Sequence, residues 1–161
     1  SLTVRENVEV PLRGVAGLDP DLREGLARLR SSLVGLPWDA GDKSPAALSG
    51  GMRKRAGLAR ALARDPEIVF LDEPTAGLDP IGASEFDDLI GGLSRSLGLT
   101  VFLVTHDLDT LYAVCDRVAV LAEKKVLVTG PLDAMAKVDH PWVRAYFDGP
   151  RGRAARPGGE R

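Results

Sequence analysis

Ile68-Val69-Phe70-Leu71 runs directly into Asp72 and Glu73. Four consecutive apolar residues with no polar alternation read as a strand covered on both faces, as in a parallel sheet. Open α/β sheets bind ligands beyond the carboxyl ends of their strands, and Asp72 and Glu73 stand at that end. Two adjacent carboxylates there can serve a metal ion and a general base respectively. A solvated turn uses the same residue types, so the flanking stretches carry the decision.

Upstream, Ser49-Gly50-Gly51 opens a helix predicted to run to about Ala63. Ser49 sits where an N-cap belongs. Glycines behind it let a phosphate approach the backbone, and the free N–H groups of a helix start attract anions. Met52, Ala56, Ala59 and Ala63 share one face, while Arg53, Lys54, Arg55, Arg60 and Arg64 lie mostly elsewhere. Asp65-Pro66 ends the helix. Downstream, a tight loop closes at Asp79-Pro80, and a helix follows over about Ile81 to Leu97. Phe86, Leu89, Ile90, Leu93 and Leu97 give its period, and Gly98 stops it. Thr100 to Val104 reads as a second buried strand, with His106 just past its carboxyl end. A lone histidine is usually structural; one at the same sheet edge as Asp72 and Glu73 is a ligand candidate.

In this order the stretches resemble the ATP-binding cassette (ABC) ATPases, over nearly all of the chain except about its last dozen residues. L-S-G-G-M matches the family's signature motif, I-V-F-L-D-E-P its Walker B strand, A-G-L-D-P its D-loop and V-T-H-D its switch histidine region. The resemblance implies an α/β fold: the P-loop NTPase (RecA-like) core of ABC ATPases with a helical signature subdomain. It places the helical subdomain at residues 1–64, the RecA-like part with its C-terminal helices at 65–148, and an unstructured tail at 149–161. It implies ATP and Mg2+ as cofactors. Ser49, Gly50 and Gly51 would contact the γ-phosphate held by a partner, and Asp72 would hold Mg2+. Glu73 would be the general base, Asp79 would link the two sites, and His106 would sense the γ-phosphate. The implied partners are a second ABC subunit, head to tail, and a transmembrane permease, at the cytoplasmic face of the inner membrane. Met52 stands where Gln is more usual, and with P-W-V-R-A-Y-F-D-G it resembles the Mce/Mla-type lipid transport branch. That branch would add an Mce-type substrate-binding protein.

The formal charge of −2 gives no reason to expect nucleic acid as a partner. Cys115 is the one cysteine, which fits a reducing compartment and excludes an internal disulfide. No apolar run approaches the about 20 residues of a membrane span. The sequence holds no G-x-x-x-x-G-K-[ST], the loop that cradles phosphates in P-loop enzymes. It therefore reads as the C-terminal part of an ABC domain without its front, inactive by itself. Two alternatives stay open: a non-transport ABC ATPase, and a non-catalytic regulatory chain without a P-loop. The compact stretch 19–44 favours the transporter.

Around this centre, Thr3 and Glu6 form a capping box for a short helix ended by Pro11. Asp19-Pro20 starts a second helix with Leu22, Leu26, Leu29 and Leu33 as its packing stripe. Leu108 to Cys115 reads as a helix, 117–122 and 126–129 as strands, and 131–138 and 141–147 as helices. From Gly149 the chain is Gly, Pro, Arg and Ala with little apolar surface, and is expected not to fold. The family's sheet order predicts that Ile68–Leu71 pairs in parallel with Thr100–Val104. It leaves Arg117–Leu121 without a partner on one side, with Val118, Val120 and Leu121 facing a gap.

Overall fold

The computed structural model describes residues 2–135 and 137–155. The chain divides into two compact units, residues 1–104 and 105–161.

In the first unit, α1 spans Val4–Glu9 and begins with the expected capping box. Thr3 N–H donates to Glu6 Oε2 at 2.7 Å, and Glu6 N–H donates to Thr3 Oγ1 at 3.2 Å. A 3-10 turn over Val10–Gly14 carries Pro11 at its start. Helix α2, Pro20–Leu33, is capped by Asp19 with Pro20 at its first position. Its leucine stripe needs correcting. Leu26 and Leu33 pack against the core, but Leu22 and Leu29 are 56% and 55% exposed. The buried face is turned away from them, onto Ala27 and Arg30, with Val34 just past the helix end. Arg30 is tolerated there because its Nη2 meets Asp65 Oδ1 at 2.5 Å.

Helix α3, Gly50–Ala61, starts at Ser49 as expected. Ala59 and Ala63 are buried, joined by Leu58 and Leu62, and Met52 and Ala56 pack at the margin. Strand β1, Ile68–Asp72, leads through the Asp79-capped loop into α4, Pro80–Leu97, and then to β2, Thr100–Val104. Phe86, Ile90 and Leu93 form α4's inward face, and Gly98 ends the helix in the left-handed region at φ 64°. β1 and β2 pair in parallel as predicted, Ile68 opposite Thr100 and Asp72 opposite Val104.

The expectation that both strands are covered on both faces is corrected. Val69 is 3% exposed, whereas Phe70 is 72% exposed. Ile68, Phe70, Phe102 and Val104 share an open face, with the two phenylalanine rings 5.4 Å apart. A continuous apolar run has no period, so it cannot tell one covering layer from two. One core runs from Val4 to Leu99, across residue 64, so helical segment and sheet are a single packed body.

In the second unit, α5 spans Leu108–Val114, capped by Asp107. β3, Arg117–Ala122, and β4, Lys125–Pro131, form an antiparallel hairpin with a register shift at Val120/Leu121. Among the described residues the strands thus form two separate two-stranded sheets. Helix α6 is shorter than expected, Leu132–Met135, because Pro131 belongs to β4; Ala136 lies outside the described residues. α7 is Pro141–Phe147. The unstructured reading of the tail is corrected over Pro150–Ala155, which forms α8 and packs against α5 and α7. Residues 156–161 lie outside the described residues. Val118 and Val120 do not face a gap: they join the core of Leu108, Leu111, Met135, Val143 and Phe147, while Leu121 is 72% exposed.

The capping box gives a pH signature. Hydrogen bonds from the Thr3 backbone and then its hydroxyl hold the Glu6 carboxyl below the usual glutamate value. A lowered pKa contributes stability that is full above the ordinary value and lost as pH falls through the lowered one. The wild-type chain is therefore expected to melt above Glu6→Gln at neutral pH. That advantage should vanish on acidification, as thermal melts over a pH series will read.

Candidate functional site

The helix start at Ser49 is built from both sides. Leu48 is buried and anchors the turn. Ser49 Oγ accepts from Met52 N–H at 3.2 Å, satisfying one of the donors a helix start leaves open. Arg53, one turn on, reaches back to the Leu48 carbonyl at 2.5 Å. Nothing in the chain's own packing demands glycine here: a Cβ on Gly50 would meet only Leu78 Cδ2 at 3.7 Å, an ordinary contact. The bare backbone leaves room for a group from outside the chain.

The carboxyl end of β1 faces the same neighbourhood. Asp72 is exposed and opposite Val104 in the ladder. Glu73 takes φ 44°, in the left-handed region. For a non-glycine residue such backbone costs about 1–3 kcal/mol and persists only where surroundings over-determine it. They do so here. Glu73 N–H donates to Val104 O at 2.8 Å, while Glu73 O accepts from Ala76 N–H at 3.2 Å and from Lys54 Nζ at 2.9 Å. Pro74 and Thr75 are buried behind it. The loop closes on Asp79, whose Oδ1 accepts from the N–H groups of Ile81 and Gly82 at 3.1 and 2.9 Å. The residue expected to link two sites thus also caps α4. A cleft of about 500 Å³ opens between α3 and this loop, lined by Gly50, Lys54, Phe70, Asp72, Pro74 and Leu78 among others.

His106 belongs to the second unit, and its side chain is exposed. Its turn is tightly made: Asp107 N–H donates to Thr105 Oγ1 at 3.0 Å, and Asp107 Oδ1 accepts from Asp109 N–H at 3.0 Å. Tyr146 on α7 donates its hydroxyl to the His106 carbonyl at 2.6 Å, and Trp142 stacks on the Tyr146 ring at 5.1 Å.

The first unit therefore holds Ser49, Gly50, Gly51, Asp72, Glu73 and Asp79, with Gly50 and Asp72 lining one cleft, and the second holds His106. No group of three His, Cys, Asp or Glu among the described residues could hold a metal ion. Asp72 fits Mg2+ as one carboxylate beside waters and phosphate oxygens, which is how this ion is usually held, and not as part of an all-protein cage. Sequence reasoning missed Lys54 and Tyr146. Both act on backbone carbonyls far along the chain, 19 and 40 residues away. The only local signals are a basic triplet at 53–55 and an aromatic phrase at 142–147.

Residues 1–76 match the family model for the ABC transporter. The chain is 42% identical over 132 residues to the methionine import ATP-binding protein MetN 2 of Bacillus thuringiensis subsp. konkukian, covering 82% of this chain and 38% of that protein. It is 36% identical over 151 residues to the probable ribonucleotide transport ATP-binding protein mkl of Mycobacterium bovis, covering 94% and 42%. The chain thus spans less than half the length of these curated relatives. Among solved structures, the dimeric ATP-binding cassette MJ0796 bound to ADP and Pi aligns with TM-score 0.72 at 32% identity, covering 81% of this chain and 57% of that one. The cbiO1 subunit from Clostridium perfringens, part of the cbiONQ transporter complex, aligns with TM-score 0.75 at 30% identity, covering 94% and 59%. With the ordered motifs and the parallel sheet edge, these likenesses identify the chain as belonging to the ATP-binding domains of ABC transporters, with the P-loop NTPase fold of their cassettes.

Proposed function

We propose that this chain carries the signature turn and the catalytic base of an ATP-hydrolysing subunit that drives a transmembrane permease from the cytoplasmic face of the inner membrane. One observation carries the reading: a bare, Ser49-capped helix start and a strained carboxylate loop sit on one packed unit and are joined by the Lys54–Glu73 hydrogen bond. In a head-to-tail pair, Ser49, Gly50 and Gly51 offer N–H and hydroxyl groups to a γ-phosphate held by the other subunit. Asp72 is the residue that would hold Mg2+, which when bound neutralises phosphate charge. Glu73 takes a proton from the attacking water, Asp79 links the two sites, and His106 hydrogen-bonds the γ-phosphate from a turn steadied by Tyr146. Phosphoryl transfer asks mainly for positioning and charge stabilisation, which a site split between two chains supplies only on closure. ATP then works as a clamp whose hydrolysis releases the pair. Within the division by role, residues 1–64 contribute the signature and 65–148 the carboxylates and histidine. No helix among the described residues is long and apolar enough to cross a membrane.

Lipid as cargo, in an Mce/Mla-type system with an Mce-type substrate-binding protein, rests on Met52 and on P-W-V-R-A-Y-F-D-G. The relatives named for methionine import and ribonucleotide transport favour a small-molecule cargo instead. ATPase stimulation of the assembled transporter in proteoliposomes, by carrier-presented phospholipid or by methionine, separates the two.

Because the sequence holds no Gly-Lys-Ser/Thr loop, the purified chain is expected to show no ATP turnover by itself. Phosphate release with micromolar ATP would overturn this. In the assembled dimer, Glu73→Gln keeps shape and removes the proton acceptor, so turnover should fall by about 100-fold or more while ATP stays bound. Near-normal turnover would refute the base. For Ser49, subunits carrying Ser49→Arg are mixed with subunits whose P-loop lysine is disabled. A mixed dimer with one competent site is expected. Failure to find it counts against action in trans.

A further inference from the structure

Glu73 holds a strained, positive-φ backbone beside Asp72, and its carbonyl accepts a hydrogen bond from a side chain. That side chain is Lys54, one turn beyond the Ser49-Gly50-Gly51 start on the same helix. Lys54 is half-buried, lines the cleft beside Asp72, and makes no ion pair among the described residues. Its ammonium is directed at a neutral carbonyl, 2.9 Å away and 19 residues along the chain. A lysine serving only as solvated surface would leave that group in water.

We propose that Lys54 is the positioning residue for Glu73, holding its peptide in the left-handed conformation and tying it to the signature turn. The proposal rests on the reading of Glu73 as base. A charged donor suits the task because hydrogen bonds from an ionised group are roughly twice as strong as neutral ones. The stem is carried by α3, whose buried residues Leu58 and Ala59 fix it against the core, so the ammonium has a stable origin. In a head-to-tail pair, Ser49 and Glu73 of one chain serve opposite sites. The Lys54 bond then places the signature turn of one site and the base of the other on a single link.

Lys54→Met keeps the stem and removes the donor; Lys54→Arg keeps a charged donor. In the assembled ABC dimer containing this chain, Lys54→Met is expected to lower kcat about tenfold with KM for ATP within about twofold, the pattern of a lost transition-state placement. Lys54→Arg should recover most of kcat. Hydrogen exchange on the same proteins should show the Glu73 amide opening faster in Lys54→Met alone. Wild-type kcat in Lys54→Met, or a loss that Lys54→Arg and Lys54→Gln both fail to restore, overturns the proposal. Full turnover in Glu73→Gln would sink the base instead. In that case unchanged Glu73 amide protection in Lys54→Met would also remove Lys54's hold on the loop, and faster exchange would retain it.

Discussion

Helix α3 is gripped on two sides by different forces. Its apolar side sinks Leu58 and Ala59 into the core of the first unit, with Leu62 and Ala63 just beyond. Its cationic side sends three consecutive residues to three segments: Arg53 to the Leu48 carbonyl, Lys54 to the Glu73 carbonyl and Arg55 to the Val34 carbonyl. Arg55 also lies 3.7 Å from Glu85 of α4. Burial alone would let the helix slide and rotate, since it is non-directional. The donors remove that freedom, because each carbonyl accepts only within narrow geometry. The capped start, the end of α2 and the carboxylate loop thereby acquire fixed mutual places.

Much of this was legible in the sequence wherever the cause is local. The caps at Thr3, Asp19 and Ser49 all form, because a cap is decided by residues two or three positions away. The parallel pairing of β1 with β2 was also foreseen, from the sheet order that the ABC resemblance implies. What escaped was set at a distance. Leu22 and Leu29 have perfect helical spacing and are exposed, because Arg30 with its Asp65 partner turns α2 the other way. Ile68 and Phe70 fit a buried strand, yet periodicity is blind to how many layers cover it. The tail lacked apolar residues, but a short helix needs little beyond neighbours such as α5 and α7.

The candidate site shows the same division. Asp72 and Glu73 are announced by their place after an apolar run, and Ser49-Gly50-Gly51 by cap and glycines. The positive φ at Glu73 has no sequence signal at all, because glutamate seldom adopts it and glycine would be the usual choice. Asp65, Glu123 and Lys124 share the positive φ, so at Glu73 the conformation gains its meaning from its place beside Asp72. Asp79 illustrates economy of another sort: a carboxylate at the head of α4 both ends the loop and steadies the helix.

The open face of the β1–β2 ladder sets four large apolar side chains beside the carboxylate of Asp72. Such an arrangement is that of an amphiphile, with an oily patch and a carboxyl group at one end. Exposed apolar patches are contact surfaces, so the purified chain should be retained on a hydrophobic resin more strongly than its net charge suggests.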